Sequence, residues 1–432
     1  MKMFSLVPSN IPHQKRKNFI NVQIDAIGVG IALAAYPFIP VLLARLGASN
    51  MQVGLFSSLP AISGLLFAIP LGRVLENTKS IVRTFSLSRL SVFLSNVAIG
   101  LSPLFLAPKQ AVILILAITS LVTLPNTLVG LGFTIIMNEV AGPESRYELM
   151  SRRWALIQLS FSIVAAAAGF VLSKIPFPLG YAVVFGFLTI GALISYNYSR
   201  RIEIPQRSPS RHATANNFPD RIRTLHSLVL EHRALLTFNL RRFLLYLGVF
   251  ALTPIYPLFF VRQLQASDFW IGSISTAQSI TLLLGYFFWT EIRKKQGVRS
   301  VLVWGMLGSS FYPFLVSALP TLSLILIAAF ISGLFQAAVD LLLFDEMLKR
   351  IPAHEQAPLV SYSQSVFYLA SIIGPFLGTF FAEHLNLMAA LLIGASLRAL
   401  GAISFCSLDT KDIAEELVRP DEQIGELDLY GK

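Results

Sequence analysis

The sequence predicts an all-α membrane protein of twelve transmembrane helices, arranged as two pseudo-symmetric six-helix bundles. Three observations carry this prediction: long apolar runs, a one-sided distribution of positive charge, and an internal repeat. The 432 residues are 54% hydrophobic and only 13% Asp, Glu, Lys and Arg, about half the charged share of a soluble globular chain. A helix crosses the hydrocarbon core when ~20 mainly apolar residues satisfy their own backbone hydrogen bonds. Twelve such runs occur, at 19–43, 52–72, 86–106, 111–137, 155–173, 179–199, 237–260, 269–290, 300–319, 322–344, 360–382 and 386–408. They are called spans 1 to 12 here.

A net charge of +11 would point to nucleic acid in a soluble protein, but here its placement follows the positive-inside rule. With the N-terminus taken as cytoplasmic, 29 of the 34 Lys and Arg residues fall in segments on that side. Arg45, Lys109, Lys174 and Arg262 fall on the other, and Arg398 inside a span. The partner expected is therefore the lipid bilayer and not nucleic acid, with both termini cytoplasmic in a multi-pass protein of the cell (inner) membrane. Lys15, Arg16 and Lys17 precede a first apolar run too long for a signal-peptide core and without a small-residue cleavage pattern, so span 1 is expected to stay. Cys406 is the sole cysteine, which excludes an intrachain disulfide.

The repeat is read by laying the second half on the first. Leu46-Gly-Ala-Ser-Asn-Met-Gln-Val-Gly54 follows span 1, and Leu264-Gln-Ala-Ser-Asp-Phe-Trp-Ile-Gly272 follows span 7. Asn50 and Asp268 are placed to cap the next helix. Pro37 and Pro40 correspond to Pro254 and Pro257 at an offset of 217, so spans 1 and 7 are expected to bend in the same outer third, either as packing kinks or as part of a rocking motion. Asn138-Glu139, Pro143 and Glu144 after span 4 resemble Asp345-Glu346, Pro352 and Glu355 after span 10; these acids either cap helix ends or pair with basic loop residues as a gate. Internal repeats of this kind mark transporters built from paired bundles around a shared site.

The domain reading follows: a cytoplasmic N-terminus (1–17), a first bundle (18–201), a cytoplasmic linker (202–234), a second bundle (235–408) and a cytoplasmic tail (409–432). Within the linker, Ile222, Leu225, Leu228 and Val229 among Arg221, Arg223 and Arg233 pattern as an interfacial amphipathic helix. Without a phosphate-binding Gly-x-x-x-x-Gly-Lys loop, a His-Glu-x-x-His or a Cys/His cluster, no enzyme chemistry, cofactor or metal is expected.

Six spans, a long connection and six more spans with matching loop signatures resemble the major facilitator superfamily over residues 18–408. Between spans 2 and 3, Pro70-Leu-Gly-Arg-Val-Leu-Glu76-Asn-Thr-Lys79-Ser-Ile-Val-Arg83 is similar to the family's Gly-x-x-x-Asp-Arg-x-Gly-Arg motif. Gly72 and Glu76 match its Gly and acid, Arg73 lies between them, Asn77 replaces its first Arg, and Lys79 and Arg83 keep its basic ending loosely. Span 1, with Asp25-Ala-Ile-Gly28-Val-Gly30 before Pro37 and Pro40, is similar to proton-driven drug exporters of the tetracycline type. That resemblance implies a membrane-embedded carboxylate role for Asp25. The exporters' Arg in span 4 is absent, and their Gly-Pro-x-x-Gly of span 5 occurs instead in span 11 as Gly374-Pro375-Phe-Leu-Gly378.

Charges inside a span cost ~2.5–3.5 kcal/mol at mid-depth on the insertion scale, so each is a functional candidate. Asp25 has Arg242 as its pseudo-symmetry mate at the offset of 217. The two are expected either to meet near a cavity floor and separate as the bundles rock, or to serve as headgroup anchors. Asp340 joins them as a proton-coupling or gate candidate. Trp154 and Gln158 share one helical face and align with Gln364 and Tyr368 at an offset of 210. With Asn126, which with Pro125 is expected to break span 4, and with Gln278 and Gln336, they are the substrate-cavity candidates. Interhelical hydrogen bonding is the other reading of these amides. Arg398 is expected to sit in a structural ion pair or a water-filled crevice.

The function expected is secondary active transport of a small organic solute by alternating access, with protons as coupling ion and a monomer as working unit. Span 1 favours efflux. The missing residues in spans 4 and 5 leave uptake of a sugar, organic acid or amino acid open, and a non-transporting receptor or scaffold stands furthest off.

Overall fold

The computed structural model describes residues 13–76, 78, 80–204, 230–319, 321–351 and 356–407. Among them every regular element is helical. Span 1 is His13–Leu33 followed by Phe38–Arg45; span 2 is Asn50–Glu76 and span 3 is Ile81–Phe105. Spans 4 and 5 are Pro108–Ala141 and Leu149–Lys174, joined without leaving helical conformation, and span 6 is Leu179–Ser199. Span 7 is Arg233–Leu258 with a wider π-type turn at Phe259–Gln263. Spans 8 and 9 form one helical run, Asp268–Ala318, which turns at Gly297, where φ is 80° and ψ is 169°. A side chain rarely tolerates that backbone. Spans 10, 11 and 12 are Leu322–Leu348, Gln356–His384 and Leu387–Ser404. Eleven of these segments are long and apolar enough to cross a bilayer, and the 27-residue Asn50–Glu76 packs among them as the twelfth.

The paired prolines act differently in the two halves. In span 1 the helix opens at residues 34–37, where Ala34, Ala35 and Tyr36 donate to carbonyls three residues back, and Pro37 restarts it as N-cap of Phe38–Arg45. In span 7 the helix continues through Pro254 and Pro257. The expected break at Pro125 and Asn126 is likewise absent: span 4 is helical through both. Nor do Asn50 and Asp268 cap. Ser49 and Gln52 satisfy each other's backbone amides reciprocally, a capping box that frees the Asn50 side chain, and Asp268 points elsewhere.

Glycines let the helices of each bundle approach closely. A Cβ on Gly28 would stand 2.6 Å from the Ser195 nitrogen and 2.7 Å from the Gly191 carbonyl oxygen, locking span 1 to span 6. In the second half the equivalent pair is Leu245 and Gly401, locking span 7 to span 12. The exporter-like glycine of span 1 therefore has a packing explanation. The linker residues 205–229 and the tail from 409 lie outside the described residues, as do Lys79, Pro352 and Glu355 and the side chains of Arg73, Glu76, Pro143, Glu144 and Asp345.

Candidate functional site

The two bundles meet along two seams, span 2 against span 11 and span 5 against span 8, which repeat each other. Ser58 donates to the Ile372 carbonyl at 3.2 Å across the first seam, and Thr276 donates to the Ser162 carbonyl at 3.0 Å across the second. One turn further from the chain termini, a Cβ on Gly54 would lie 2.7 Å from Thr379 Oγ1, and one on Gly169 would lie 3.0 Å from the Gly272 Cα. Each contact maps onto the other by exchanging the halves, the self-complementary pattern of a twofold interface.

The seams close at the face opposite the chain termini. There Arg45 Nη2 pairs with Asp268 Oδ2 at 3.0 Å and donates to the Ala266 carbonyl at 3.3 Å. In reverse, Arg262 donates to Asn50 Oδ1 at 2.6 Å and to the Ala48 carbonyl. Tyr181 donates to Asp268 Oδ1 at 2.6 Å from span 6. Two turns from Ser162 and Ile372 toward the termini, on the same helical faces, stand Trp154 and Gln364, and both are exposed. The seams are thus closed at the opposite face, with Tyr368 against Gly64 (2.8 Å from a built Cβ) near the middle.

Within the first bundle, Asp25 lies at the centre of a buried cluster. Arg89 Nη1 reaches both its carboxylate oxygens at 2.8 Å, Arg153 Nη2 reaches Oδ2 at 3.2 Å, and Ser195 donates to Oδ1 at 2.7 Å. All four side chains are buried, and the guanidinium groups stack on Phe85 and Phe133. Spans 1, 3, 5 and 6 are tied by this one carboxylate. The expected meeting of Asp25 with Arg242 is therefore not made in this conformation, because the acid is already occupied inside its own half.

The second bundle arranges its charges differently. Arg398 of span 12 donates to Gln336 Oε1 at 2.9 Å, and Gln336 donates to Asp340 Oδ1 at 2.9 Å; Tyr286 donates to Asp340 Oδ2 at 3.4 Å. Asp340 is exposed and, among the described residues, has no cation at ion-pair distance. Carboxylates within spans generally turn toward the bundle interior or toward water and not toward lipid. Arg398, expected in an ion pair, reaches the acid only through Gln336. Arg242 donates to Met347 Sδ at 3.2 Å and lies over the rings of Tyr246 and Phe367.

The remaining candidates divide. Trp154, Gln158, Gln364 and Tyr368 lie on the faces that border the seams. Asn126 is exposed on span 4, and the carbonyl of Gln278 is packed against Gly333. Glu346 is bonded to Lys349 and Arg350 of its own helix end at 2.6 and 3.1 Å, ion pairs with the basic residues that follow it and not a helix cap. Of the loop motif, Gly72 has open space around it and Arg83 donates its backbone amide to the Ser80 hydroxyl. Arg89 and Arg153 were not singled out from the sequence, where both fall into the count of basic residues on the cytoplasmic side; the signal was Arg89 lying inside the predicted span 86–106 at a depth similar to Asp25.

Comparison with known proteins agrees with this architecture. The sequence model of the Major Facilitator Superfamily matches residues 238–426. The uncharacterized MFS-type transporter YuxJ of Bacillus subtilis (strain 168) is 26% identical over 180 residues, which is 41% of this chain and 45% of that relative's length. Among solved structures, the nucleoside transporter NupG superposes with a TM-score of 0.63 at 13% identity, covering 90% of this chain and 99% of that one. A bacterial metal transporter gives a TM-score of 0.63 at 13% identity, covering 93% and 100%. Twelve helices in two halves and seams that repeat under exchange of the halves agree with the fold of these transporter structures, and residues 238–426 are similar to the Major Facilitator Superfamily.

Proposed function

We propose that the protein is a secondary transporter that carries a small organic solute through the opening between its bundles by alternating access, driven by protons bound at Asp340. The observation that carries this reading is the state of that carboxylate: without a cation at ion-pair distance among the described residues and held by two neutral donors, Gln336 and Tyr286. An acid so placed gains and loses a proton with little rearrangement, whereas Asp25 is committed to two arginines and a serine. We assign Asp25 the task of holding its bundle rigid while the halves rock. Taking the terminal face as cytoplasmic, the closed ends of the seams lie at the outer face, and the resemblance of span 1 to proton-driven exporters supports export as the direction.

A deletion strain screened for growth on toxic amphipathic compounds and on carbon sources identifies the solute. Everted vesicles holding a pH dye then report its coupling. Solute addition is expected to release protons from acidified vesicles, and Asp340→Asn is expected to abolish that release while solute exchange at equal concentration persists. Retained coupling in Asp340→Asn, or no movement of any solute, would overturn the reading. Net uptake of a nutrient by intact cells, abolished by an uncoupler, would reverse the direction.

A further inference from the structure

We infer that the solute is an organic anion with a flat apolar body, its anionic group bound by Arg242 and its body laid against Tyr246, Phe250 and Phe367. The inference rests on the transporter reading above and names the class of cargo.

Arg242 is only 8% exposed, yet among the described residues its guanidinium meets no carboxylate. Its guanidinium donates to the Met347 thioether at 3.2 Å and has the neutral Tyr246 hydroxyl beside it, and its Nε has no acceptor. Sulfur of this kind is a weak acceptor. A buried cation left without an anion is costly in a membrane protein, which is why such residues mark sites. Its chain neighbour Arg241 is partly exposed. Arg242 is turned inward instead.

In the first bundle each buried arginine of span 3 and span 5 reaches a carboxylate. There two buried arginines, Arg89 and Arg153, converge on one acid on the first helix, Asp25. In the second bundle the equivalent position on the first helix is Arg242 itself, so a base stands where the acid stood. Asp340, the acid nearest in the second bundle's polar chain, is engaged by Gln336 and Tyr286, and Arg398 Nε also lacks an acceptor. Arg242 is thus a buried positive charge that meets no carboxylate among the described residues, and a bound anion would answer it.

The surroundings say what kind of anion. The Arg242 carbon lies 5.4 Å from the Tyr246 ring centroid and 5.5 Å from that of Phe367. Tyr246 and Phe250 are stacked at 5.7 Å, and Phe367 meets them edge-on at 4.8 and 5.3 Å. Phe367 in turn touches Tyr368, whose ring abuts Gly64 of the other bundle, so the aromatic wall borders the path between the halves. An inorganic anion would leave three rings unused, and a cation would be repelled by the guanidinium. A carboxylate on an aromatic or similarly flat body uses both, through a charge-assisted hydrogen bond and ring packing.

The test is equilibrium binding to the full-length protein purified in detergent, with radiolabelled 2-naphthoate, benzoate and indole-3-acetate each set against its neutral amide. At least one acid is expected to bind saturably and about tenfold or more tighter than its amide, the size of effect a hydrogen bond to a charged group gives. Arg242→Gln should erase that preference, Arg242→Lys should keep part of it, and Arg241→Gln should leave it unchanged. The inference is overturned if no acid outbinds its amide in the wild-type protein, or if the preference survives in monodisperse Arg242→Gln. An acid that binds but never crosses proteoliposomes would instead overturn the transport reading. A neutral or cationic solute carried with protons, with no acid bound, would overturn the anion inference alone.

Discussion

Arg45 and Arg262 stand 217 residues apart at equivalent ends of spans 1 and 7, and each reaches into the other bundle to hold equivalent atoms. Arg45 takes the Ala266 carbonyl and the Asp268 side chain; Arg262 takes the Ala48 carbonyl and the Asn50 side chain. The exchange is symmetric in geometry and unequal in charge, since only Asp268 is an acid. The closed face is therefore fastened by one ion pair and one neutral counterpart, and the ion pair is the step whose loss most directly favours opening there.

Asp268→Asn tests that inequality. The amide keeps one oxygen, for Arg45 or for Tyr181, puts an NH2 donor in place of the other, and removes the charge from a side chain that is 4% exposed beside one that is 26% exposed. A partly buried pair of this kind contributes about 1–2 kcal/mol, which changes the ratio of closed to open protein roughly 5- to 30-fold. Spin labels at Lys109→Cys and Leu385→Cys, in a Cys406→Ser background, should show a longer distance population that grows in Asp268→Asn. An unchanged distance distribution would remove the ion pair from the closing step.

Glycine contact governs the same face by shape. A Cβ on Gly272 would sit 2.7 Å from the Ala165 carbonyl oxygen and 3.0 Å from Gly169 Cα, closer than carbon atoms pack. Gly272→Val is expected to keep this seam from closing and to shift the labelled pair further than Asp268→Asn does. Gly54→Val should act in the same direction more weakly, because its nearest neighbour is the movable Thr379 side chain, with backbone, the Pro375 carbonyl oxygen, further off at 3.2 Å.

The span count, the two halves and the seam residues 46–54 and 264–272 were legible in the sequence because they depend on local runs and on repetition. What the seams do was not legible. Arg45 finds Asp268 across 223 positions, and no pattern within one half points to a partner in the other. Arg89 and Arg153 were hidden for a different reason: counting positive charge by side of the membrane treats a guanidinium in the headgroups and one turned into the bundle alike. Asn50 and Asp268 look like caps from sequence because the cap preference is local, but Ser49 and Gln52 already fill that need. Gln336 and Asp340 were legible as a pair, since four residues on one helix face can be read from spacing alone.

Asp25 tests the structural side of the argument. Asp25→Ala leaves Arg89 and Arg153 buried without an anion, and removing one partner from a buried charge cluster costs about 3–5 kcal/mol. The thermal midpoint in detergent should fall clearly, and less in Asp25→Asn, whose amide oxygen still accepts from Ser195 or Arg89. If Asp340 carries the proton, the Asp25→Asn protein that remains folded should keep solute-driven proton release. Loss of release in folded Asp25→Asn would move the coupling role back to Asp25.

Gln336 is the link between Arg398 and Asp340, and Gln336→Leu removes it while keeping similar bulk. Arg398 is 7% exposed and already lacks an acceptor at Nε, so losing the Gln336 oxygen leaves its guanidinium without a described acceptor. The cost of stranding a charged donor in this way is about 1.5–3 kcal/mol, read as a lower thermal midpoint. Asp340 loses one of its two neutral donors at the same time but keeps Tyr286. The expected outcome is therefore a destabilised protein in which solute-driven proton release persists with a shifted pH dependence, whereas Asp340→Asn abolishes release outright. Equal loss of release in both variants would mean that the whole chain of Arg398, Gln336 and Asp340 moves the proton and not the carboxylate alone.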